Sequence, residues 1–238
     1  MFGHGQVIKK GVAQDCNGWL CESCLERQGG RVSESLSELL TELEQFGQQN
    51  DAAVSDRPHR MLNITRDTGE FLSVLTQATN AKRVLEIGTS NGYSTLWFAQ
   101  AAQKISGHVT TVELSEYKFD LAATNFERSG LSDYITPLQC NAGKLLESVD
   151  DSSFDLLFLD SNRSEYVQWW SNIKRVLREG GLLVVDNATS HADEMASFMA
   201  LVSADPDFTT CTVPVGKGEF LATRCFGFSA CRGGAGAQ

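Results

Sequence analysis

Acidic side chains follow directly on three of the apolar strands that the sequence predicts. In FDLLFLD the apolar residues 156–159 lead straight to Asp160, HVTTVE ends on Glu113, and LLVVDN ends on Asp186 and Asn187. The carboxyl end of a parallel strand is where ligands bind in open α/β sheets. Two carboxylates and an amide oxygen suit a hard cation such as Mg²⁺ or Mn²⁺. The alternative is that these Asp and Asn side chains cap the helices that follow.

A glycine-rich segment, EIGTSNGYS, follows another predicted strand and begins a helix. Gly88 and Gly92 allow the backbone to approach a ligand closely at a helix N-terminus. The dinucleotide fingerprint G-x-G-x-x-G is not matched, because Ser90 and Tyr93 stand where glycines are needed. About 20 residues after this loop, Glu113 is placed to accept hydrogen bonds from ribose hydroxyls. The alternative is a tight turn followed by a solvated strand end.

Strands that alternate with helices predict the sheet that positions these residues. From VLEI onwards the apolar strands indicate a parallel sheet covered on both faces. Pro137 places the strand YITPLQC at a sheet edge, and Gly180 with Gly181 should end the helix YVQWWSNIKRVL. Near the C-terminus FTTCTVPV, GKGE and FLATRCF predict an antiparallel hairpin. The predicted fold class is α/β, a doubly wound Rossmann-like sheet, mostly parallel, with an antiparallel C-terminal hairpin strand.

Length and composition restrict the class of protein. A chain of 238 residues suffices for one large domain. The net charge of −10, without a basic stripe, argues against nucleic acid as a partner, and the absence of an 18-residue apolar run argues against a membrane span. Seven scattered cysteines favour reduced thiols, and no signal-peptide core follows the first lysines, so we expect a cytoplasmic protein.

The two ends of the chain differ from the part between them. We predict a disordered N-terminal tail over residues 1–31, a single domain over 32–226 and a flexible Gly-rich tail over 227–238. Three cysteines in the first tail lack the second pair that a zinc ribbon needs, and we interpret them as free thiols. They are Cys16, Cys21 and Cys24.

Four segments together resemble a known family. VLEIGTSNGYSTLWFA, TTVELS, FLDSNRSEY and LLVVDNA, in this order and spacing, resemble the class I S-adenosylmethionine-dependent methyltransferases. More narrowly, they resemble the cation-dependent O-methyltransferases, which include catechol and caffeoyl-CoA O-methyltransferases, from about Met61 to Arg224. The resemblance implies methyl transfer from S-adenosylmethionine to a hydroxyl of a small, catechol-like acceptor, with Mg²⁺, or else Mn²⁺ or Ca²⁺. Members of the family commonly pair, so a homodimer is one option.

The resemblance also implies a role for individual residues. The first loop would hold the methionine part of the cofactor, Glu113 the ribose, and the residues after the third strand the adenine. Asp160, Asp186 and Asn187 would bind the metal. The implied cofactor-binding residues are Asn63, Glu86, Gly88, Ser90, Gly92, Ser94, Glu113, Asn141, Ala142 and Asp160. Of these, Asn63 is included on a weaker resemblance than the others.

Arg163 is a departure from the family pattern. Plant and animal members carry a lysine three residues after the metal-binding Asp, and that lysine resembles a general base. Arginine cannot take this role, because its pKa exceeds about 12. We predict that Arg163 and Asp160 are catalytic residues, with Arg163 steadying the anionic oxygen or a substrate carboxylate. The alternative is an ion pair at a helix start, with Glu165 or Glu194.

Two other functions stay open from the sequence. An NAD(P)-linked oxidoreductase uses a similar sheet, although the missing third glycine and the acid-rich strand ends count against it. A protein that binds S-adenosylmethionine without catalysis is the other, because Arg163 stands where a base is expected.

Overall fold

The computed structural model describes residues 35–227. The predicted N-terminal tail with its three cysteines, and almost all of the predicted C-terminal tail, lie outside this range. The strands are β1 Arg83–Ile87, β2 His108–Glu113, β3 Ile135–Gln139, β4 Phe154–Leu159, β5 Leu177–Val185, β6 Phe208–Val213 and β7 Glu219–Arg224. The helices are α1 Leu36–Ala53, α2 Arg66–Ala78, α3 Tyr93–Ile105, α4 Glu116–Ser129, α5 Ala142–Ser148, α6 Tyr166–Val176 and α7 Ala192–Ser203.

The strands of this region form one sheet in the order β3-β2-β1-β4-β5-β7-β6. The pairs among β1 to β5 are parallel, and β7 runs antiparallel to both β5 and β6. This arrangement confirms the predicted fold class. It also places β3, with Pro137, at the sheet edge as predicted, where the missing N–H of proline costs no central ladder bond.

The two faces of the sheet carry separate apolar cores. Along β4, Leu156 and Phe158 pack with residues of α1 to α4, whereas Leu157 and Leu159 pack with residues of α5 to α7. This alternation follows from the two-residue period of a strand. All four side chains are fully buried, so β4 can offer a polar group to a ligand only beyond its end.

The junction between α6 and β5 corrects one prediction. The helix ends at Val176, before Gly180 and Gly181, and β5 begins directly at Leu177. Leu177 is buried and pairs with Phe154, so strand pairing takes over from the helix at that point. The glycines lie inside β5, where Gly180 has a positive φ of 69° and the pairing register with β4 shifts.

Asp155 joins three strands at their amino ends, at the edge of the sheet opposite the cavity. It accepts hydrogen bonds from the backbone N–H of Arg83 at 2.8 Å and from Arg178 Nε at 2.7 Å. Burial alone would raise the pKa of this carboxyl, but the bonds from Arg83 and Arg178 outweigh burial and lower it to about 2. The carboxylate therefore stabilises the start of β1, β4 and β5 together.

Among the helices of residues 35–227, none combines the length and the apolar character that a bilayer span requires.

Candidate active site

A cavity of about 920 Å³ opens at the carboxyl ends of the parallel strands. Most of the predicted site residues line it, which are Asn63, Gly88, Ser90, Ser94, Glu113, Asn141, Ala142, Asp160, Arg163 and Asn187. Three others are buried behind its wall, which are Glu86, Gly92 and Asp186. The volume lies in the upper part of the range usual for ligand pockets, so a nucleoside and a second small molecule can share it.

The loop after β1 takes its shape from two glycines with positive φ. Gly88 has φ 109°, and a Cβ there would collide with the carbonyl oxygen of Asp160. Gly92 has φ 86°, and a Cβ there would collide with the ring of Phe126. Only glycine tolerates both the positive φ and the lack of room for a Cβ at these positions. The two glycines therefore let the loop lie against the end of β4 and against α4.

Glu86 supports this loop from below. Its side chain is fully buried and accepts hydrogen bonds from Ser94 Oγ at 2.6 Å, from Thr111 Oγ1 at 2.6 Å and from Thr95 Oγ1. Burial raises the pKa of Glu86 to about 7, although the hydroxyl donors oppose the rise. Glu86 therefore joins β1, β2 and the start of α3, and does not reach the cavity.

Glu113 is fixed by the backbone around it. Its Oε2 accepts from the N–H of Ser90 at 2.9 Å, and its Oε1 accepts from the N–H groups of Leu114 and Ser115 at 2.9 Å each. A carboxylate oxygen has two lone pairs, so this anchoring leaves acceptor capacity towards the cavity. The prediction that Glu113 can accept from a ribose fits this geometry.

Two amide side chains on the cavity wall are positioned differently. Asn141 caps α5, because its Oδ1 accepts from the N–H of Lys144 at 3.1 Å. Asn63 donates from Nδ2 to the carbonyl oxygen of Leu43 at 3.0 Å, and its buried Oδ1 has no partner among the residues described. A buried acceptor without a partner is costly unless a ligand supplies a donor. Asn63 thus gains support as a binding residue.

The predicted metal-binding residues converge at the exits of β4 and β5. Asn187 Nδ2 lies 3.5 Å from Asp160 Oδ1 and also donates to Asp186 Oδ2. The strands position them, because the N–H of Asp186 donates to the carbonyl oxygen of Leu159 at 3.1 Å. The capping alternative does not hold, since α6 and α7 have Glu165 and His191 at their N-cap positions.

Burial and mutual repulsion act on these acids. Burial, and then the charges of Asp186 and Glu86, raise the pKa of Asp160 well above its usual range. Burial also raises the pKa of Asp186, and it raises the pKa of the buried Glu219 to about 10. A protonated Glu219 can donate to Asp186, while its Oε1 accepts from Thr68 Oγ1 at 3.1 Å. The charge of Asp186 thus acts on Asp160.

The chemistry of the donor set fits a divalent cation. Two carboxylates and an amide offer only oxygen ligands, which Mg²⁺ and Mn²⁺ prefer. No group of three or more His, Cys, Asp or Glu side chains suited to a metal occurs within residues 35–227. The predicted set has only two acids, and the amide oxygen of Asn187, which accepts from Ser190 Oγ at 3.1 Å, would have to turn towards them to be the third ligand.

Arg163 forms the ion pair that was the alternative to a direct catalytic role. Its Nε donates to Glu194 Oε2 at 2.9 Å, and no bond to Glu165 is present in the described part. The Arg163 side chain is only 7% exposed, whereas the arginine of a surface ion pair is largely solvated. It also lines the cavity.

Comparison with known proteins identifies the family of this chain. The family model described as O-methyltransferase matches residues 31–225. A catechol O-methyltransferase of Mycobacterium tuberculosis is 35% identical over 127 residues, covering 52% of this chain and 56% of the relative. A catechol O-methyltransferase of Niastella koreensis is 28% identical over 169 residues, covering 66% of this chain and 74% of the relative.

A solved structure shows the same fold. The crystal structure of an O-methyltransferase from Bacillus cereus in complex with SAH superposes with a TM-score of 0.64 at 22% identity, over 85% of this chain and 96% of that one. The sheet and its glycine loop form a Rossmann-like fold, and the family match makes the chain a methyltransferase that uses S-adenosylmethionine. The chain belongs to the O-methyltransferase family.

Proposed function

We propose that this O-methyltransferase methylates a hydroxyl of a small, catechol-like acceptor with the help of a divalent cation. Mg²⁺ is the cation that we propose first. One observation supports this proposal above the others. Asp160, Asp186 and Asn187 converge at two adjoining strand ends, beside the loop that begins at Gly88. The proposed cation site would therefore adjoin the part of the cavity that would hold the cofactor.

The cation would be held by Asp160, Asp186 and Asn187. When bound, it would lower the pKa of an acceptor phenol, which is otherwise about 10, so that the hydroxyl ionises near neutral pH. Two adjacent hydroxyls on a ring are suited to such a site because both can face the same ion. This requirement is why the acceptor is proposed to be catechol-like.

The chain contributes alignment to the reaction. Glu113, held by three backbone N–H groups, would fix the ribose, and the Gly88 loop would fix the methionine part. The acceptor hydroxyl would lose its proton to solvent water, its oxygen would attack the sulfonium methyl in line, and the methyl–sulfur bond would break to give S-adenosylhomocysteine. Arg163 cannot accept the proton, and its pairing with Glu194 would hold its charge at the cavity wall.

The test is methyl transfer from S-adenosylmethionine to catechol, followed by mass spectrometry. We expect product with Mg²⁺, about a 100-fold loss with EDTA or in Asp160→Asn, and recovery from EDTA when Mg²⁺ is restored. Asp133→Asn, an exposed change away from the cavity, should behave as the wild type. Transfer that ignores EDTA would remove the cation from the proposal. Tight S-adenosylhomocysteine binding with no transfer to any catechol would favour binding without catalysis.

We also propose a cytoplasmic location, supported by the scattered cysteines of the sequence. Thiol titration of protein from freshly lysed cells, with and without reductant, tests this. We expect the same number of free thiols with and without reductant. Fewer free thiols without reductant would contradict a cytoplasmic location.

A further inference from the structure

One wall of the cavity comes from the connection between α1 and α2. Five residues of the segment 57–62 line the cavity, which are Arg57, Pro58, Arg60, Met61 and Leu62. Met61 is the buried member of this segment, and four of its six residues are exposed. Packing against the core therefore does little to fix the 57–62 segment, and its position depends on hydrogen bonds.

Two neighbouring side chains at the end of α1 bind the backbone of this segment. Asp51 accepts the N–H of Met61 through Oδ1 at 2.6 Å and the N–H of Leu62 through Oδ2 at 2.8 Å. Asn50 Nδ2 donates to the carbonyl oxygen of His59 at 2.9 Å and to Asp51 Oδ1 at 3.1 Å. Both oxygens of one carboxylate thus bind successive peptide groups, and hydrogen bonds to a charged acceptor are among the stronger ones in proteins.

The backbone of Leu62 shows what the carboxylate holds in place. Leu62 has φ 55°, in the left-handed region that is costly for a residue with a Cβ. Asp51 itself lies in the last turn of α1, where the helix dipole disfavours an acid. Neither residue is at a favourable position by itself, and the bond between them accounts for both.

The 57–62 segment is bonded on its other side to the glycine loop. Ser90 Oγ donates to the carbonyl oxygen of Met61 at 2.6 Å, and the N–H of Ser90 donates to Glu113 Oε2 at 2.9 Å. Met61 is therefore held through its N–H by Asp51 and through its carbonyl oxygen by Ser90. A continuous series of hydrogen bonds joins the end of α1 to Glu113, the acid that would bind the ribose.

We propose that Asp51 is a positioning residue for S-adenosylmethionine. Asp51 does not line the cavity, so it acts through the 57–62 segment, which it holds as a wall against the Gly88 loop. The cofactor then meets a wall that is already ordered, and binding does not have to order it. The inference rests on the proposed place of the cofactor beside the Gly88 loop, and it is independent of the acceptor and of the cation.

Calorimetric titration with S-adenosylhomocysteine tests this role in the wild type, Asp51→Ala and Asp51→Asn. We expect the Kd to rise about 10-fold in Asp51→Ala, the equivalent of about one hydrogen bond to a charged group, because the bonds from Asn50 and Ser90 remain. Asp51→Asn should show a smaller rise, since its single oxygen can accept one of the two N–H groups. Asp51→Asn also decides the question if Asp51→Ala does not fold.

Asp56→Ala is the matched control, because Asp56 lies in the same connection and its carboxylate forms an exposed pair with His59. Exposed ion pairs contribute little, so the Kd should stay at the wild-type value. An Asp56→Ala variant that loses as much affinity as Asp51→Ala would show that any change in this connection has the effect, and would overturn the inference.

Two further readouts separate positioning from a general loss of structure. With catechol as acceptor, Asp51→Ala should raise the KM for S-adenosylmethionine about 10-fold and leave kcat and the KM for catechol unchanged. Ser90→Ala should weaken S-adenosylhomocysteine binding less in the Asp51→Ala background than in the wild type, because both side chains act through Met61.

Equal Kd values for the wild type and both Asp51 variants would overturn the inference. Losses that multiply in the double variant, or a fall in kcat without a rise in the KM for S-adenosylmethionine, would also overturn it. Failure of the proposed function would look different, because the wild type would then bind S-adenosylhomocysteine and methylate no catechol. The calorimetric titrations would still test Asp51 in that case.

Discussion

Two acids near strand ends, Glu86 and Glu113, show how burial decides the use of a carboxylate. Both were predicted to bind the cofactor. Glu113 lines the cavity and keeps acceptor capacity, whereas Glu86 is fully buried and bonded to three hydroxyl groups. The same residue type therefore lines the cavity in one place and supports the glycine loop from the interior in the other.

The raised pKa of Glu86 predicts how stability depends on pH. The pKa rises from 4.5 to about 7 on folding, so the native state binds the proton more tightly than the unfolded chain. The stabilisation is complete below about 4.5 and is lost as pH rises through about 7, for a total of up to about 3 kcal/mol. In Glu86→Gln this part of the pH dependence should vanish.

Urea unfolding between pH 5 and 8 measures the effect of Glu86. Glu127→Gln, at an exposed position on α4, serves as the control and should keep the wild-type slope. The same slope in Glu86→Gln would show that Glu86 titrates alike in the folded and unfolded chain.

At the scale of elements, the loop after β1 depends on the absence of a side chain at Gly88. We expect Gly88→Ala to destabilise the fold by about 3 kcal/mol, from overpacking together with a positive φ, and to weaken S-adenosylhomocysteine binding. Gly130→Ala is the control, because Gly130 also has a positive φ, 68°, but nothing lies within 4 Å of its Cβ position. It should cost only about 1 kcal/mol. Equal melting temperatures for the two variants would contradict the close approach to Asp160.

The strand ends opposite the cavity depend on Asp155. Its pKa falls from 3.8 to about 2 on folding, so its stabilisation is present above about 4 and is lost as pH falls towards 2. Asp155→Asn should cost about 2 kcal/mol at neutral pH. In denaturant titrations the gap between wild type and variant should close as pH falls from 4 to 2. A constant gap would mean that the carboxylate charge is not the cause.

At the scale of the whole molecule, local patterns predicted the sheet and most of the site. In a parallel sheet the carboxyl ends of all strands lie at the same edge. The residues that follow each strand in the sequence therefore included Glu113, Asp160 and Asn187, which line the cavity. Local patterns misplaced the end of α6, because Gly180 and Gly181 look like a helix stop while the pairing of Leu177 with Phe154 decides otherwise.

The residues that sequence reasoning missed come together over long separations. Glu219 reaches Asp186 from an antiparallel strand, and Thr111 reaches Glu86 from β2. Lys217 lines the cavity from the turn between β6 and β7, whose backbone bonds to the loop after β5. No local period or spacing encodes these contacts, and only the assembled sheet shows them.

The central claim is that Asp160, Asp186 and Asn187 together hold one divalent cation beside the cofactor. Electron paramagnetic resonance of free Mn²⁺, titrated with protein loaded with S-adenosylhomocysteine, tests it most directly. We predict that the wild type and Asp133→Asn remove one equivalent of Mn²⁺ from solution, and that Asp160→Asn and Asp186→Asn remove almost none. Mn²⁺ uptake that is undiminished in both variants, or no uptake by the wild type, would contradict the account.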